Sequence, residues 1–204
     1  MTTYDPDSVR RYFDVLGEGE WDRLERDLRG QISYLVHRRF LLEHVAPGRR
    51  ALDVGCGPGR FALDLVRAGA GVTLVELSRV QLQLAESRLR GAGFEPDASH
   101  EGDICDLGSF IDGPFDLVVA YGGVLSYTYD RHGLALDQLV ECTTPGGHLA
   151  LSVMPLGGTM RLIPPLDAVG FLADWERHMS WDPASPRPPF VLTVPGSSEW
   201  HQPI

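Results

Sequence analysis

The stretch Leu52-Asp53-Val54-Gly55-Cys56-Gly57-Pro58-Gly59-Arg60-Phe61-Ala62 runs from an apolar strand end, through a glycine loop, into a helix start. Glycine at every second position lets a backbone turn sharply and approach a ligand, because no side chain stands in the way. A small polar ligand is expected there. From Arg50 onward the apolar period alternates between strand and helix. Ala51–Val54 reads as a strand, and Phe61, Ala62, Leu65 and Val66 as the inner face of a helix closed by Gly69. Val72–Leu77 reads as a second strand, followed by a helix capped at Ser78 with Leu82, Ala85 and Leu89 inward. A strand, helix, strand unit forces a parallel sheet with right-handed connections. A weak third strand over Ala98–His100, a strong fourth over Phe115–Ala120 and a helix over Leu134–Cys142 continue the pattern. A turn at Pro145-Gly146-Gly147 then leads to a fifth strand over Leu149–Met154.

Upstream, three groups of apolar residues recur at helical spacing: Val9, Tyr12, Phe13 and Leu16; Trp21, Leu24 and Leu28; and Ile32, Leu35, Val36, Leu42 and Val45. This helical preface, residues 1–47, either packs on the sheet or closes over the ligand, in which case Tyr12, Trp21, Tyr34 and His37 reach the site. Residues 48–154 form the α/β core. Residues 155–204 hold nine of the 15 prolines, so only a short helix near Leu166 to His178 and an edge strand near Phe190 to Val194 are expected. The 204 residues fit a single domain large enough to bury a core without disulfide or metal staples.

Composition removes several classes of function. Cys56, Cys105 and Cys142 are odd in number and widely spaced, which suits neither a disulfide framework nor a zinc site, so no metal is expected. A net charge of −10 without a basic stripe argues against nucleic acid. All 18 basic residues are arginine, which excludes a P-loop lysine and a Schiff-base lysine. The N-terminus lacks the basic and apolar regions of a signal peptide, and no apolar run approaches a membrane span, so a cytoplasmic protein is the expectation.

Open parallel sheets bind ligands at the carboxyl ends of their strands. The glycine loop follows strand one, Glu76 ends strand two, Asp103 follows strand three and Tyr121 follows strand four. A carboxylate ending strand two can accept both hydroxyls of a ribose, and one after strand three can accept an exocyclic amine, which together describe an adenosine. Gly57-Pro58-Gly59-Arg60-Phe61-Ala62 satisfies the dinucleotide pattern formally. Asp53, two residues before the first glycine, points elsewhere: a buried acid opposes a pyrophosphate and suits a cofactor with a cationic amino group.

With these residues in place, the chain resembles the class I S-adenosylmethionine-dependent methyltransferases. The resemblance rests on Leu52 through Gly59, Glu76-Leu77-Ser78, Gly102-Asp103-Ile104, Phe115 through Val119, and Pro145-Gly146-Gly147-His148-Leu149, and covers roughly residues 48–154. It implies a Rossmann-like, doubly wound parallel sheet in the order 3-2-1-4-5. S-adenosylmethionine is then the implied cofactor and S-adenosylhomocysteine the product. Gly55, Cys56, Gly57 and Gly59 would border the methionine part, Asp53 would order its amino group, and Tyr121 would line the same side. Glu76 would hold the ribose, Leu77 and Gln81 would border the adenine, and Asp103 would accept from adenine N6 with the Ile104 amide facing the ring.

The acceptor is expected to be a small molecule. No catalytic residue is singled out, because a phenol or carboxylic acid needs no base and His37, His132, His178 and His201 carry no mark of one. Two rival functions are a cofactor-binding module without an acceptor site and a nicotinamide-dependent oxidoreductase. The family's sheet usually ends in an antiparallel pair, for which few residues remain here. A truncated chain, a substitute strand at 190–194 and a homodimer across the strand-five edge are all open.

Overall fold

The computed structural model describes residues 3–154. Strands β1 (Arg50–Val54), β2 (Gly71–Glu76), β3 (Ala98–Glu101), β4 (Phe115–Ala120) and β5 (Thr143–Leu151) form one parallel sheet in the order β3-β2-β1-β4-β5. The expected order is therefore the observed one. β1 pairs Ala51 with Val72 on one side and with Leu117 on the other, so the chain reverses direction of travel across the sheet at β1. That switch point opens a crevice above the carboxyl end of β1.

Both sheet faces are covered, which is why β1, β2 and β4 are nearly continuous apolar runs. Helices α3 (Leu28–His44), α4 (Arg60–Arg67) and α5 (Arg79–Gly91) flank one face, where Ala51, Leu65, Leu74, Leu89, Leu117 and Val119 form a core. On the other face the 3-10 segment Ile104–Ser109 and helix α6 (His132–Glu141) pack on Leu52, Val54, Val75 and Val118. Each fully buried leucine contributes about 2 kcal/mol relative to exposure.

The preface is pinned to this frame by polar anchors. Helix α1 (Pro6–Leu16) starts at Asp5, whose carboxylate accepts from the Asp7 and Ser8 amides, and Pro6 fits the first helical turn. Ser78 caps α5 through the Gln81 amide, and its hydroxyl also donates to Asp14 at 2.5 Å. After the short helix α2 (Gly19–Asp22), the Trp21 ring lies 3.6 Å from the Arg60 guanidinium carbon and 4.3 Å from that of Arg88. Tyr34 and Arg38 of α3 both donate to the buried Asp64 of α4.

Three expectations are corrected. Leu28, Ile32, Leu35 and Val36 do not form a buried face: Leu28 is 71% and Val36 62% exposed, and α3 packs through Phe40, Leu41 and Val45 instead. The fifth strand spans Thr143–Leu151, not Leu149–Met154. Its pairing begins at Phe115 with Thr143, a register shift absorbs the Pro145–Gly147 turn, and the ladder ends where β4 ends. A 3-10 segment, Val124–Arg131, occupies the break after Tyr121-Gly122-Gly123, where no element was expected. No further strand flanks β5 among the described residues, and the expected segments near 166–178 and 190–194 lie outside them. Among the described residues no helix is long and apolar enough to cross a membrane.

Candidate functional site

The loop after β1 folds back onto β2. The Gly55 and Cys56 amides both donate to the Val75 carbonyl, at 2.8 and 3.1 Å, which turns the next amide outward. That amide, of Gly57, donates to Glu76 Oε2 at 2.8 Å, while the Ser78 amide donates to Oε1 at 2.9 Å. Glu76 is thus fixed at the end of β2 by backbone donors on both oxygens, and each oxygen keeps acceptor capacity for a hydroxyl. Gly57 has φ +52°, and a Cβ built on it would meet only Glu20 Cγ, at 3.8 Å, so the space above it is open. Gly59 differs. A Cβ there would stand 2.9 Å from the Ala85 Cα, so its missing side chain serves the close approach of α5 to the start of α4.

Asp53 is 2% exposed, and its Oδ2 has no hydrogen-bond partner among the described residues. Burial, reinforced by the neighbouring Glu76 and opposed by the Ala62 amide, pushes its carboxyl up to about 7. Glu76 is also raised by burial, against the Ser78, Gly57 and Leu77 amides that favour its charged form. Burial and then Asp53 push the Tyr121 phenol up to about 12. An orphaned carboxylate beside a second acid in a low-dielectric crevice is a site that gains most from a cation.

Asp53, Gly55, Cys56, Gly57, Glu76, Leu77, Ile104 and Tyr121 line one cleft. Three expected residues do not. Gln81 is fully buried, and its amide donates to the Phe13 and Gly17 carbonyls at 2.9 Å each, so it ties down the end of α1. Gly59 faces α5. Asp103 stands behind Tyr4, whose hydroxyl donates to Asp103 Oδ1 at 3.0 Å and whose ring lines the cleft.

The preface does reach the cleft, through other residues than those expected. Tyr4, Val9, Phe13, Glu20, Arg23 and Leu24 line it, whereas Tyr12 is 56% exposed, Trp21 sits among arginines, Tyr34 serves Asp64 and His37 lies edge-on behind Tyr121. Val124, Tyr127 and Thr128 of the unexpected 3-10 segment complete the wall, with Tyr127 edge-to-face on Phe13 at 5.3 Å. Among the described residues no cluster of three or more histidines, cysteines or carboxylates could hold a metal.

Residues 51–147 match the profile of a methyltransferase domain family. The chain is 33% identical over 129 residues to methyltransferase GfsG of Streptomyces halstedii, covering 62% of this chain and 45% of that protein. Over residues 51–147 the chain is similar to the class I S-adenosylmethionine-dependent methyltransferase family. It is also 34% identical over 148 residues to a magnesium-protoporphyrin O-methyltransferase of Rhodobacter capsulatus, covering 66% of this chain and 64% of that protein. The crystal structure of the [4+2]-cyclase SpnF superposes with a TM-score of 0.61 at 22% identity, over 73% of this chain and 60% of that one, a likeness of fold. The chain spans about half the length of several curated relatives it matches.

The cleft suits the family's cofactor. A buried unpartnered Asp53 oxygen meets the need of an ammonium group, the open space above Gly57 admits a chain beside the loop, and both Glu76 oxygens keep acceptor capacity for hydroxyls.

Proposed function

We propose that this chain transfers a methyl group from S-adenosylmethionine to a small-molecule acceptor. The observation that carries the reading is the buried Asp53 carboxylate, with its Oδ2 unpartnered among the described residues, beside the open glycine loop, which favours a cationic amino acid cofactor over a pyrophosphate. Similarity to the magnesium-protoporphyrin O-methyltransferase supports a small-molecule acceptor.

The cofactor supplies an electrophilic methyl group on a sulfonium, so the protein's task is alignment and exclusion of water. Gly55, Cys56 and Gly57, which line the cleft, would border the methionine part, and Asp53 would orient its ammonium. Glu76 would accept from the ribose hydroxyls and Leu77 and Ile104 would border the adenine, while Asp103 is held by the Tyr4 hydroxyl and the Cys105 amide behind the cleft wall. Phe13, Tyr121 and Tyr127 wall the cleft against water. No described histidine lines the cleft, which suits an acceptor that gives up its proton unaided, such as a carboxylic acid or phenol.

The test is incubation with S-adenosylmethionine and a panel of carboxylic acids, phenols, alcohols and amines, with S-adenosylhomocysteine release as the readout. Turnover on an acid or phenol is expected. Tight cofactor binding with no turnover on any acceptor favours the rival reading of a binding module. In the same assay series, Glu76→Ala should weaken S-adenosylhomocysteine binding by about 1.5 to 3 kcal/mol, the usual worth of hydrogen bonds to a charged group. Calorimetry checks it, and an unchanged affinity moves the ribose elsewhere.

A further inference from the structure

We infer that the exposed apolar face of α3 is a docking surface for a segment of the same chain, residues 166–179.

Apolar side chains fall all round α3, the pattern of a helix covered on every side. Phe40, Leu41 and, just past its end, Val45 serve the core. The opposite face carries Leu28, Ile32, Leu35 and Val36, at i, i+4, i+7 and i+8, and these are 71%, 52%, 58% and 62% exposed. Four large side chains along one helix face make a patch, unlike the scattered apolar exposure that is normal on a surface. Exposed arginines stand at its two ends, Arg29 beside Leu28 and Arg39 one turn beyond Leu35. Arg39 is tied only by an exposed i,i+4 pair with Glu43 at 3.2 Å, which a new partner displaces at little cost.

The occupant follows from where the chain runs next. The Met154 amide donates to Ser126 Oγ at 2.9 Å, and its Cγ lies 2.8 Å from where a Gly123 side chain would begin. The same point on Gly122 is 3.9 Å from Arg23 Nη2, and that on Gly30, in the first turn of α3, is 3.1 Å from the Leu24 Cα. The chain thus leaves Met154 near the end of α3 where the apolar stripe begins. Residues 155–165 come first, and when extended they span up to about 36 Å, more than the roughly 26 Å length of α3. Then Ala168, Phe171, Leu172, Trp175 and Met179 recur at i, i+3, i+4, i+7 and i+11, the spacing of one helical face. Asp167, Asp174 and Glu176 stand among them against Arg177, an acidic balance that suits the arginines of α3. A second copy of α3 would set those arginines against their own like.

Trypsin reads the docking on the full chain. With no lysine present and Arg187 followed by proline, its sites beyond Met154 are Arg161 and Arg177. Cutting at Arg177 should be at least about 10-fold slower in the full chain than in a synthetic peptide of residues 155–204. Leu35→Asp and, separately, Val36→Asp place a charge under the docked segment and should restore most of that rate. Both should also red-shift the emission of Trp175, Trp181 and Trp200, while Leu35→Met, which keeps the face apolar, cuts as the parent does. Unaltered resistance of residues 3–154 certifies that each variant is folded. Equal rates for the parent and the peptide overturn the docking whatever the variants do. An Arg177 rate unchanged by both charged variants overturns it too, and a parent dimer that becomes monomeric in them, at that same unchanged rate, gives the face to a second copy.

Discussion

A Gly57→Val variant should keep its fold and lose S-adenosylhomocysteine binding by at least about 100-fold in calorimetry. The backbone at Gly57 has φ +52°, in the left-handed region that a β-branched residue adopts only with strain of about 1 to 2 kcal/mol. That cost is small beside the stability of a domain this size, and a Cβ at this position meets only Glu20 Cγ, at 3.8 Å, so the melting temperature should fall by only a few degrees. In the proposed reading the same open space is the path of the cofactor's amino acid chain. The valine fills it. Unchanged affinity would place the cofactor away from the loop. A collapse of the fold would point to a packing role like that of Gly59, whose side-chain position is already filled by α5.

Asp53→Asn should raise stability and lower affinity together. Its carboxyl lies near 7 in the folded chain against a usual value of 3.8, so the folded state holds a proton that the unfolded state has released between those values. Stability contributed at low pH is therefore lost as pH rises from about 4 to about 7, and the full cost remains above 7. Asparagine carries no charge to bury. Its melting temperature should exceed that of the parent at about pH 8, with the difference closing toward about pH 4. Binding moves the other way, because an ammonium favours the ionised acid. Parent affinity should climb from about pH 5.5 to about pH 8 and level off, while that of the variant is weaker and flat over the same range. Thermal melts and titrations across the range measure both. A variant that binds as tightly as the parent would remove Asp53 from the site.

The strands were legible in the sequence because β1, β2 and β4 are buried on both faces and leave nearly continuous apolar runs, separated by glycine and serine at helix ends, whereas their order was implied by the family resemblance. The preface was legible as helix and misleading as packing. Leu28, Ile32, Leu35 and Val36 have the spacing of a buried stripe, yet only the second half of α3 rests on the core. Spacing reports a common face and cannot say whether anything covers it. The same gap explains Gln81: its position after β2 suggests the adenine, whereas a buried amide must satisfy its donors, and the exposed carbonyls ending α1 are within reach. Tyr4, Glu20, Arg23 and Tyr127 left no signal, because they enter the cleft from segments far along the chain. The carboxylates at the strand ends were legible because a parallel sheet brings every strand's carboxyl end to one edge, whatever the loops do.

Calorimetric titration of the unaltered chain with S-adenosylhomocysteine and, separately, with a nicotinamide dinucleotide tests the central claim most directly. Saturable binding of S-adenosylhomocysteine at a single site, with no heat from the dinucleotide, is the expected result. Dinucleotide binding without S-adenosylhomocysteine binding would contradict it.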